Sequence, residues 1–364
     1  MKRVVGAWVC SLFCGCSYTS TPGGEGDGVG GDADADSDAD EPVCMDDFAL
    51  VGVIDGPVPD MAGYGPDHFH FDVGDDLAFV NLDIDGFDIV DLSDPTAPET
   101  IGTFPEQNQS WGGLAYSAPY LLTQGEAGGD PPYTFFVFDV SDPASPVRLS
   151  SLGVGRPGRG VTLLGGDRAL ACQGGDTDAS LDVIDYADPA LPVIVASLPN
   201  HEVRDVALFG ATAFLSVQHG WDAPEGESNQ QLEALDLSDP AAPAVLVSES
   251  VGDLGRLAAA GTSLVAGIGT DLVVFDVSDP AAPREVGRLE GLFDEQASVL
   301  TSASTFVLAA EGTRLTVVDV AIPEAPERGA SIDLPGEVTS VLVSDTYGYV
   351  MIDDASIRIF DLGC

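Results

Sequence analysis

The chain consists of short apolar stretches separated by polar turns. Phe87–Asp91, Phe135–Asp139 and Leu272–Asp276 are rich in β-branched and aromatic residues, and each stretch ends on an aspartate. Stretches of this length are too short for helices and are typical of β-strands. Because no uninterrupted helical pattern of three turns occurs, the pattern predicts an all-β protein.

Each of these aspartates opens a repeated phrase that reads Asp-X-Ser-Asp-Pro-X-X-Pro in its commonest form. The phrase begins at seven positions, which we name the anchor aspartates: Asp91, Asp139, Asp185, Asp236, Asp276, Asp319 and Asp361. An aspartate before proline favours a turn, because proline fixes φ and lacks an N–H. We expect the anchor aspartates to accept hydrogen bonds from amides of the turn or of a neighbouring repeat. The alternative is a ring of carboxylates that holds ions.

The repeat spacing predicts the architecture. Successive anchor aspartates are 40 to 51 residues apart, and each interval contains four strand-like stretches. Four strands in such a period are typical of a propeller blade. The sequence therefore predicts a seven-bladed β-propeller of four-stranded antiparallel blades, with strands A to D counted from the central channel outward.

The repeated phrases resemble the LVIVD-repeat family of bacterial β-propellers, which are secreted or lipoprotein-type proteins. The family is named for a strand like Phe87–Asp91, and the resemblance covers residues 48–362. The resemblance implies the propeller architecture. It implies no agreed catalytic activity.

The two ends of the repeat region complement each other. Residues 337–362 supply strands A, B and C of a last blade, with no strand D after them. The first strand-like segment, Phe48–Asp55, matches the outer strand Pro283–Glu290, with Val51 and Gly52 aligned on Val286 and Gly287. We therefore expect this N-terminal outer strand to join the C-terminal blade and close the ring, which removes open sheet edges.

The cysteines support this closure. Cys44 and Cys364 both map onto the hairpin turn that the last blade lacks, so we predict a disulfide between them; the alternative is two unpaired thiols. The loop closed by this bond, about 320 residues, would strongly restrict the unfolded chain. Cys172 lies inside a strand and is expected to be a small buried apolar residue rather than a nucleophile.

The N-terminus has the pattern of a lipoprotein signal peptide over residues 1–15. A basic start precedes the apolar run Val4–Phe13, which is too short to span a bilayer, and Gly15 stands before Cys16. We expect Cys16 to be lipidated; the alternative is cleavage by ordinary signal peptidase. The predicted localisation is the cell envelope, with the lipid in the outer membrane and the protein facing the periplasm or the exterior. Such an oxidising compartment agrees with a disulfide.

Residues 16–43 form an acidic, Gly/Asp-rich tether before the propeller at 44–364. Glycine and like charge predict a flexible, disordered spacer, and weak calcium binding by its alternate aspartates is the alternative. Without residues 1–15 the chain has 11 Arg, no Lys and 60 acidic residues, a formal charge of 11 − 60 = −49. This charge disfavours nucleic acid and anionic membranes, although it also serves simply to keep a secreted surface solvated. We expect membrane contact only through the lipid, and a protein or small-molecule ligand of the envelope as partner.

The rare residue types gather on one face of the predicted propeller, where the D–A and B–C loops lie. The candidate ligand-binding rim is His68, His70, Trp111, Arg159, His201, Arg204, His219, Trp221 and Arg256. Long loops on a rigid scaffold are where recognition is usually found. Arg159, Arg204 and Arg256 would form a positive collar for an anionic ligand, unless they pair with acids such as Asp205 and Asp253.

Two functions of different classes fit this rim. We expect a non-catalytic binding or scaffold propeller without a cofactor, because no nucleophile–base pairing or complete set of metal ligands is visible in the sequence. The alternative is a metal-assisted hydrolase or lyase with calcium or a transition metal at the channel mouth. Its candidate ligands are His68, His70, His201 and His219. A structural role in the envelope without a small ligand is a third possibility.

One motif that suggests calcium is excluded by its spacing. Asn81–Gly86 has the pattern that opens an EF-hand loop, but the twelfth position is Leu92 instead of a bidentate carboxylate. The segment fits a hairpin between strands B and C, with Gly86 in the turn.

Overall fold

In the computed structural model the chain folds into seven antiparallel sheets that form the blades of a β-propeller. The structure describes residues 16–17, 48–55, 70–81, 86–105, 111–126, 133–174, 179–218, 230–344 and 346–363. These residues contain no helix, and therefore none that is long and apolar enough to cross a bilayer. The predicted all-β, seven-bladed architecture is confirmed.

The first three blades contain four strands each, in the order A to D. They are blade 1, β3 (Phe71–Gly74), β4 (Leu77–Asn81), β5 (Gly86–Asp91) and β6 (Glu99–Pro105); blade 2, β7 (Trp111–Ser117), β8 (Tyr120–Glu126), β9 (Tyr133–Asp139) and β10 (Val147–Val154); and blade 3, β11 (Gly158–Leu163), β12 (Arg168–Gln173), β13 (Ser180–Asp185) and β14 (Val193–Pro199). In each blade, neighbouring strands pair in chain order.

The next three blades repeat this order. They are blade 4, β15 (Glu202–Phe209), β16 (Thr212–Gln218), β17 (Gln230–Asp236) and β18 (Ala244–Glu249); blade 5, β19 (Leu254–Ala260), β20 (Ser263–Ile268), β21 (Asp271–Asp276) and β22 (Arg284–Leu289); and blade 6, β23 (Val299–Ala303), β24 (Phe306–Glu311), β25 (Arg314–Asp319) and β26 (Glu327–Asp333). A two-residue strand, β1 (Cys16–Ser17), adds to blade 4 by pairing in parallel with β15.

Blade 7 is built from both ends of the chain. Its strands A to C are β27 (Val338–Ser344), β28 (Tyr347–Ile352) and β29 (Ile357–Asp361), and its outer strand is β2 (Ala49–Ile54). In the register, Gly52 lies opposite Ile359, as Gly287 lies opposite Val274 in blade 5. The predicted closure, including the alignment of Gly52 on Gly287, is confirmed.

The hydrophobic core lies between blades rather than in one central cluster. Leu170 and Val183 of blade 3 pack with Val206 and Leu215 of blade 4, for example, and all four side chains are fully buried. Strands B and C are covered on both faces because each blade is sandwiched between two neighbours. This explains why their sequences are continuous apolar runs instead of alternating patterns.

The anchor aspartates stabilise their own turns. All seven accept a hydrogen bond from the backbone N–H two residues later, at 2.8–3.0 Å. In Asp91, this bond from Ser93 is the main reason why the pKa of the carboxyl is lowered. At Ile322, where the second aspartate of the phrase is missing, the backbone bond from the Ala325 N–H still closes the turn at 2.9 Å. The expected role of the anchor aspartates in the turn is confirmed.

At three seams, a glycine in the outer strand of one blade allows close packing against the proline hairpin of the next blade. At each of these glycines an added Cβ would lie well under 3.0 Å from a proline carbonyl oxygen. The pairs are Gly52 with Pro95, Gly102 with Pro143, and Gly287 with Pro323. The first pair joins blade 7 to blade 1, so the seam that closes the ring has the same contact as seams within the chain.

The three cysteine predictions in the propeller have different outcomes. Cys44 and Cys364 lie outside the described residues, so the disulfide between them stays a prediction. Cys172 is 1% exposed in the core between blades 3 and 4, as expected for a small buried residue. It is also disulfide-bonded, which the sequence analysis did not predict, and its sulfur is therefore not a free nucleophile.

We expect Gly52→Ala to lower the free energy of unfolding by about 1–3 kcal/mol, because the methyl group must displace the Pro95 backbone across the closing seam. Urea unfolding followed by circular dichroism measures this change. Gly329→Ala is the matched control, since its Cβ would meet its nearest neighbours at an ordinary 3.5 Å. Equal effects of the two substitutions would show that the seam contact carries no special stability.

Candidate binding site at the central channel

The inner strands of all seven blades surround one central channel. Its empty volume is about 900 Å³, including space open to solvent. Much of its wall is apolar, with contributions from Leu114, Leu163, Leu300 and Leu342 on four different blades. Because strands A run side by side around one axis, residues that are far apart in the sequence face a common space.

Among the described residues, four titratable side chains line this channel: His70, Asp72, Asp205 and Arg256. His70 immediately precedes β3, and Asp205 and Arg256 lie in the first half of β15 and β19. The starts of strands A lie towards the face that carries the D–A loops. The charged part of the channel wall is therefore concentrated towards the face that the sequence analysis selected.

Asp72 connects blade 1 to blade 2. One carboxylate oxygen accepts a bond from the Val73 N–H at 2.9 Å, and the other accepts one from the Tyr116 N–H at 2.6 Å. Burial raises the pKa of Asp72 to about 6, although both backbone donors act in the opposite direction. Among the described residues no cationic side chain pairs with this carboxylate.

Asp205 makes the equivalent connection between blades 4 and 5. Its carboxylate accepts bonds from the Val206 N–H at 2.9 Å and from the Leu257 N–H at 2.8 Å. Burial raises its pKa to about 7, and the positive charge of Arg256 only partly opposes this effect. Unlike Asp72, Asp205 therefore has a cationic neighbour.

Arg256 ties three blades together at the channel wall. Its Nε donates to the Ser298 carbonyl oxygen at 2.8 Å, and its Nη1 donates to the Arg204 carbonyl oxygen at 3.2 Å. The side chain is 7% exposed. Because its charge lies next to Asp205, Arg256 supports the hypothesis that the arginines pair with acids, and not the hypothesis of a positive collar for an anionic ligand.

His201 lies in the connection between blades 3 and 4, immediately before β15. Its Nδ1 is 2.9 Å from the Pro199 carbonyl oxygen, and its Nε2 is 3.1 Å from a carboxylate oxygen of Glu233 in β17. The other oxygen of Glu233 accepts a bond from the Ser248 hydroxyl at 2.8 Å. Glu233 is the main reason why the pKa of His201 is raised. Arg204 donates to Gln218 at the end of β16 in the same blade.

The structure thus brings only part of the predicted rim to the channel. His70 and Arg256 line it, whereas His201 contacts Glu233 in strand C of blade 4 and the Pro199 carbonyl oxygen at the end of blade 3. The backbones of Trp111 and Arg159 lie in β7 and β11, but their side chains are outside the described part. His68, His219 and Trp221 are outside the described residues as well.

Sequence reasoning did not select Asp72 or Asp205 as site residues. Asp72 is the one acidic residue of β3, and Asp205 directly precedes the apolar run Val206–Phe209 of β15. An acidic residue inside an inner strand is the signal that would have found them. An acidic residue in such a strand is exceptional, because burial of a carboxylate is unfavourable without specific partners.

The described residues do not assemble a metal centre. No group of three or more His, Cys, Asp or Glu side chains among them has a geometry that could hold an ion. His70 faces the channel and His201 faces Glu233, so these two predicted ligands do not share a site.

Family models agree with the fold. The LVIVD repeat model matches residues 73–105, which correspond to blade 1, and residues 264–290, which correspond to blade 5. The chain is thus a β-propeller in which two segments, in blades 1 and 5, match the LVIVD repeat. No curated protein sequence matches it significantly.

Solved structures show the same architecture at low identity. A chain of the mitotic checkpoint complex is 10% identical with a TM-score of 0.66, covering 92% of this chain and 99% of that one. The WD40 β-propeller domain of Doa1 is 10% identical with a TM-score of 0.62, covering 86% and 96%. BamB from Moraxella catarrhalis is 12% identical with a TM-score of 0.54, covering 86% and 90%. At these identities, the similarity establishes the fold alone.

We expect Glu233→Gln to lower the pKa of His201, because the substitution removes the acceptor charge that favours the imidazolium. Since the folded-state pKa is raised, this pair stabilises the protein fully below the unfolded pKa of about 6.5, and the contribution is lost as the pH rises through the folded pKa. NMR titration of the His201 ring and urea unfolding across pH measure both effects. Glu249→Gln on the exposed end of β18 is the control, and an unchanged His201 titration in Glu233→Gln would contradict the assignment.

Proposed function

We propose that the protein is a non-catalytic binding propeller that holds a ligand or partner on the D–A/B–C face, around the mouth of the central channel. The observation that carries this proposal is the channel itself, which combines apolar walls with titratable side chains towards one face. Concave, mostly apolar sites with a few polar groups are typical of ligand binding. The same fold is compatible with enzymes, so only the chemistry of the site distinguishes binding from catalysis.

The roles of the channel side chains favour binding over catalysis. Asp72, Asp205 and Arg256 each bond the backbone of another blade. Such bonds hold the ring and preorganise the wall, as a rigid binding site requires.

The alternative is a hydrolase or lyase with a metal at the channel mouth. His70 favours it, because this imidazole lines the channel. His201 would not contribute to that metal while it pairs with Glu233, so His68 and His219 would have to supply further ligands.

We further propose that the protein is a cell-envelope lipoprotein, anchored to the outer membrane through a lipid on Cys16 and spaced from the membrane by residues 16–43. The support is the sequence pattern at the N-terminus. The described residues of this segment, Cys16 and Ser17, pair in parallel with β15. The ligand or partner would then be a molecule of the envelope.

The binding proposal predicts saturable small-molecule binding that depends on the channel. We expect saturation-transfer NMR with a library of small apolar and polar fragments to give hits that Ser340→Phe abolishes, because Ser340 lines the channel. Ser344→Phe, at the other end of β27 and outside the channel wall, is the control and should keep the hits. Hits that survive Ser340→Phe would place binding elsewhere. A stoichiometric transition metal in the purified protein that is lost in His70→Ala would instead support the enzyme.

The anchoring proposal predicts a membrane-bound protein whose N-terminal residue is a lipid-modified Cys16. Mass spectrometry of the membrane fraction should show the added acyl mass, and Cys16→Ser should release the protein into the soluble fraction. Cys10→Ser, within the predicted signal peptide, is the matched control. An unmodified, soluble wild-type protein with residues 1–15 removed would indicate ordinary signal peptidase.

A further inference from the structure

We propose that the central channel binds a primary organic ammonium ion with a short apolar body, which places its ammonium group against Asp72. This inference depends on the proposed binding role of the channel and names the ligand class. It follows from the charged side chains and the apolar wall of the channel.

Asp72 is a carboxylate with a hydrogen-bonding capacity that the protein leaves partly unused. Each oxygen accepts one backbone N–H, from Val73 and from Tyr116, and a carboxylate oxygen has a second lone pair to offer. Among the described residues no ion pair compensates its charge. A carboxylate in the channel wall without a counter-ion is unfavourable. A cation that enters the channel can therefore form the ion pair that the described residues do not provide.

The other channel charges are already balanced. Asp205 has Arg256 beside it, and Arg256 in turn donates to carbonyl oxygens of Ser298 and Arg204. His70 is the fourth titratable group on the wall. Among the described residues that line the channel, Asp72 is therefore the one acid without a cationic partner, and this arrangement favours a ligand with one positive charge.

The wall around Asp72 selects an organic cation rather than a metal ion. Phe71, Leu114, Leu163, Leu300 and Leu342 all line the same cavity. A hard metal ion needs several oxygen ligands, whereas a primary ammonium needs a carboxylate and a few acceptors such as hydroxyl groups or water. Thr162, Thr301 and Thr339 place hydroxyl-bearing side chains on the wall, and the apolar side chains suit a short hydrocarbon body.

The net charge of the whole protein also favours a cationic ligand. The formal net charge is −47, so the protein attracts cations and repels anions, most strongly in a cleft with low-dielectric walls. An anionic ligand would also place its charge near Asp72. This disfavours the arginine-collar hypothesis for the channel interior.

The test compares three probes of nearly equal size that differ in charge: n-hexylammonium, n-hexanol and n-hexanoate. Isothermal titration calorimetry on the full chain at pH 7.5 should give 1:1 binding of hexylammonium, at least about 10-fold tighter than hexanol, with no measurable binding of hexanoate. Equal affinities of hexylammonium and hexanol would overturn the proposal.

The pH dependence tests Asp72 without any substitution. Because the pKa of Asp72 is about 6, its ionised fraction falls from nearly complete at pH 7.5 to about one tenth at pH 5, and hexylammonium should bind about 10-fold more weakly at the lower pH. Protonation of His70 acts in the same direction, so the profile is repeated in His70→Gln. Asp205, whose pKa is raised to about 7, also loses its charge over this range, so the profile is repeated in Asp205→Asn, where the fall in affinity should persist. An affinity that does not change with pH would contradict the proposal.

Asp72→Asn should abolish hexylammonium binding, and Asp88→Asn should not. Asp88 is the matched control, since it lies in β5 of the same blade and bonds Thr103 outside the channel wall. If Asp72→Asn unfolds, the probe comparison and the pH profile still decide. If hexylammonium fails while other fragments bind in a Ser340-dependent manner, the ligand class is wrong and the binding function stands. If no fragment binds in the channel, the ligand class and the proposed binding function are both wrong.

Discussion

The structure depends on the contact between neighbouring blades. A single blade has two apolar faces and cannot bury either of them alone, so each one is stable only between two others. The ring must therefore close, and the last seam has to be as well packed as the first. Gly52 against Pro95 shows how this is achieved, because the outer strand from the N-terminus repeats the contact that Gly102 makes with Pro143.

The same constraint creates the channel and sets its chemistry. Strands A cannot pair with one another as in a closed barrel, so polar groups on them connect adjacent blades. Asp72 bonds the Tyr116 N–H and Asp205 bonds the Leu257 N–H, which joins residues 44 and 52 positions apart in the sequence. These carboxylates stabilise the inner seams and at the same time place negative charge on the wall of a cavity. The proposed binding role and the integrity of the ring thus share side chains.

Acidity serves different purposes in different places. On the hairpin face the anchor aspartates are partly exposed turn residues, and Asp91 has a lowered pKa because a backbone N–H favours its ionised form. In the channel, burial dominates and the pKa values of Asp72 and Asp205 are raised to about 6 and about 7. The net charge of −47 is therefore mainly a property of the surface, and only a small part of it bears on the site.

The strands, the seven repeats, the turn role of the anchor aspartates and the closure by β2 could all be predicted from the sequence, because they follow from a pattern repeated at one period. The sequence did not determine which rim residues reach the channel. Irregularities of register in strands A, such as the one between Val203 and Asp205, break the simple alternation that assigns side chains to faces. His201 and Asp205 lie four residues apart, yet one contacts Glu233 in the outer part of blade 4 and the other lines the channel. Only the tertiary structure decides this, since the partners come from neighbouring strands and blades whose positions depend on how the ring packs.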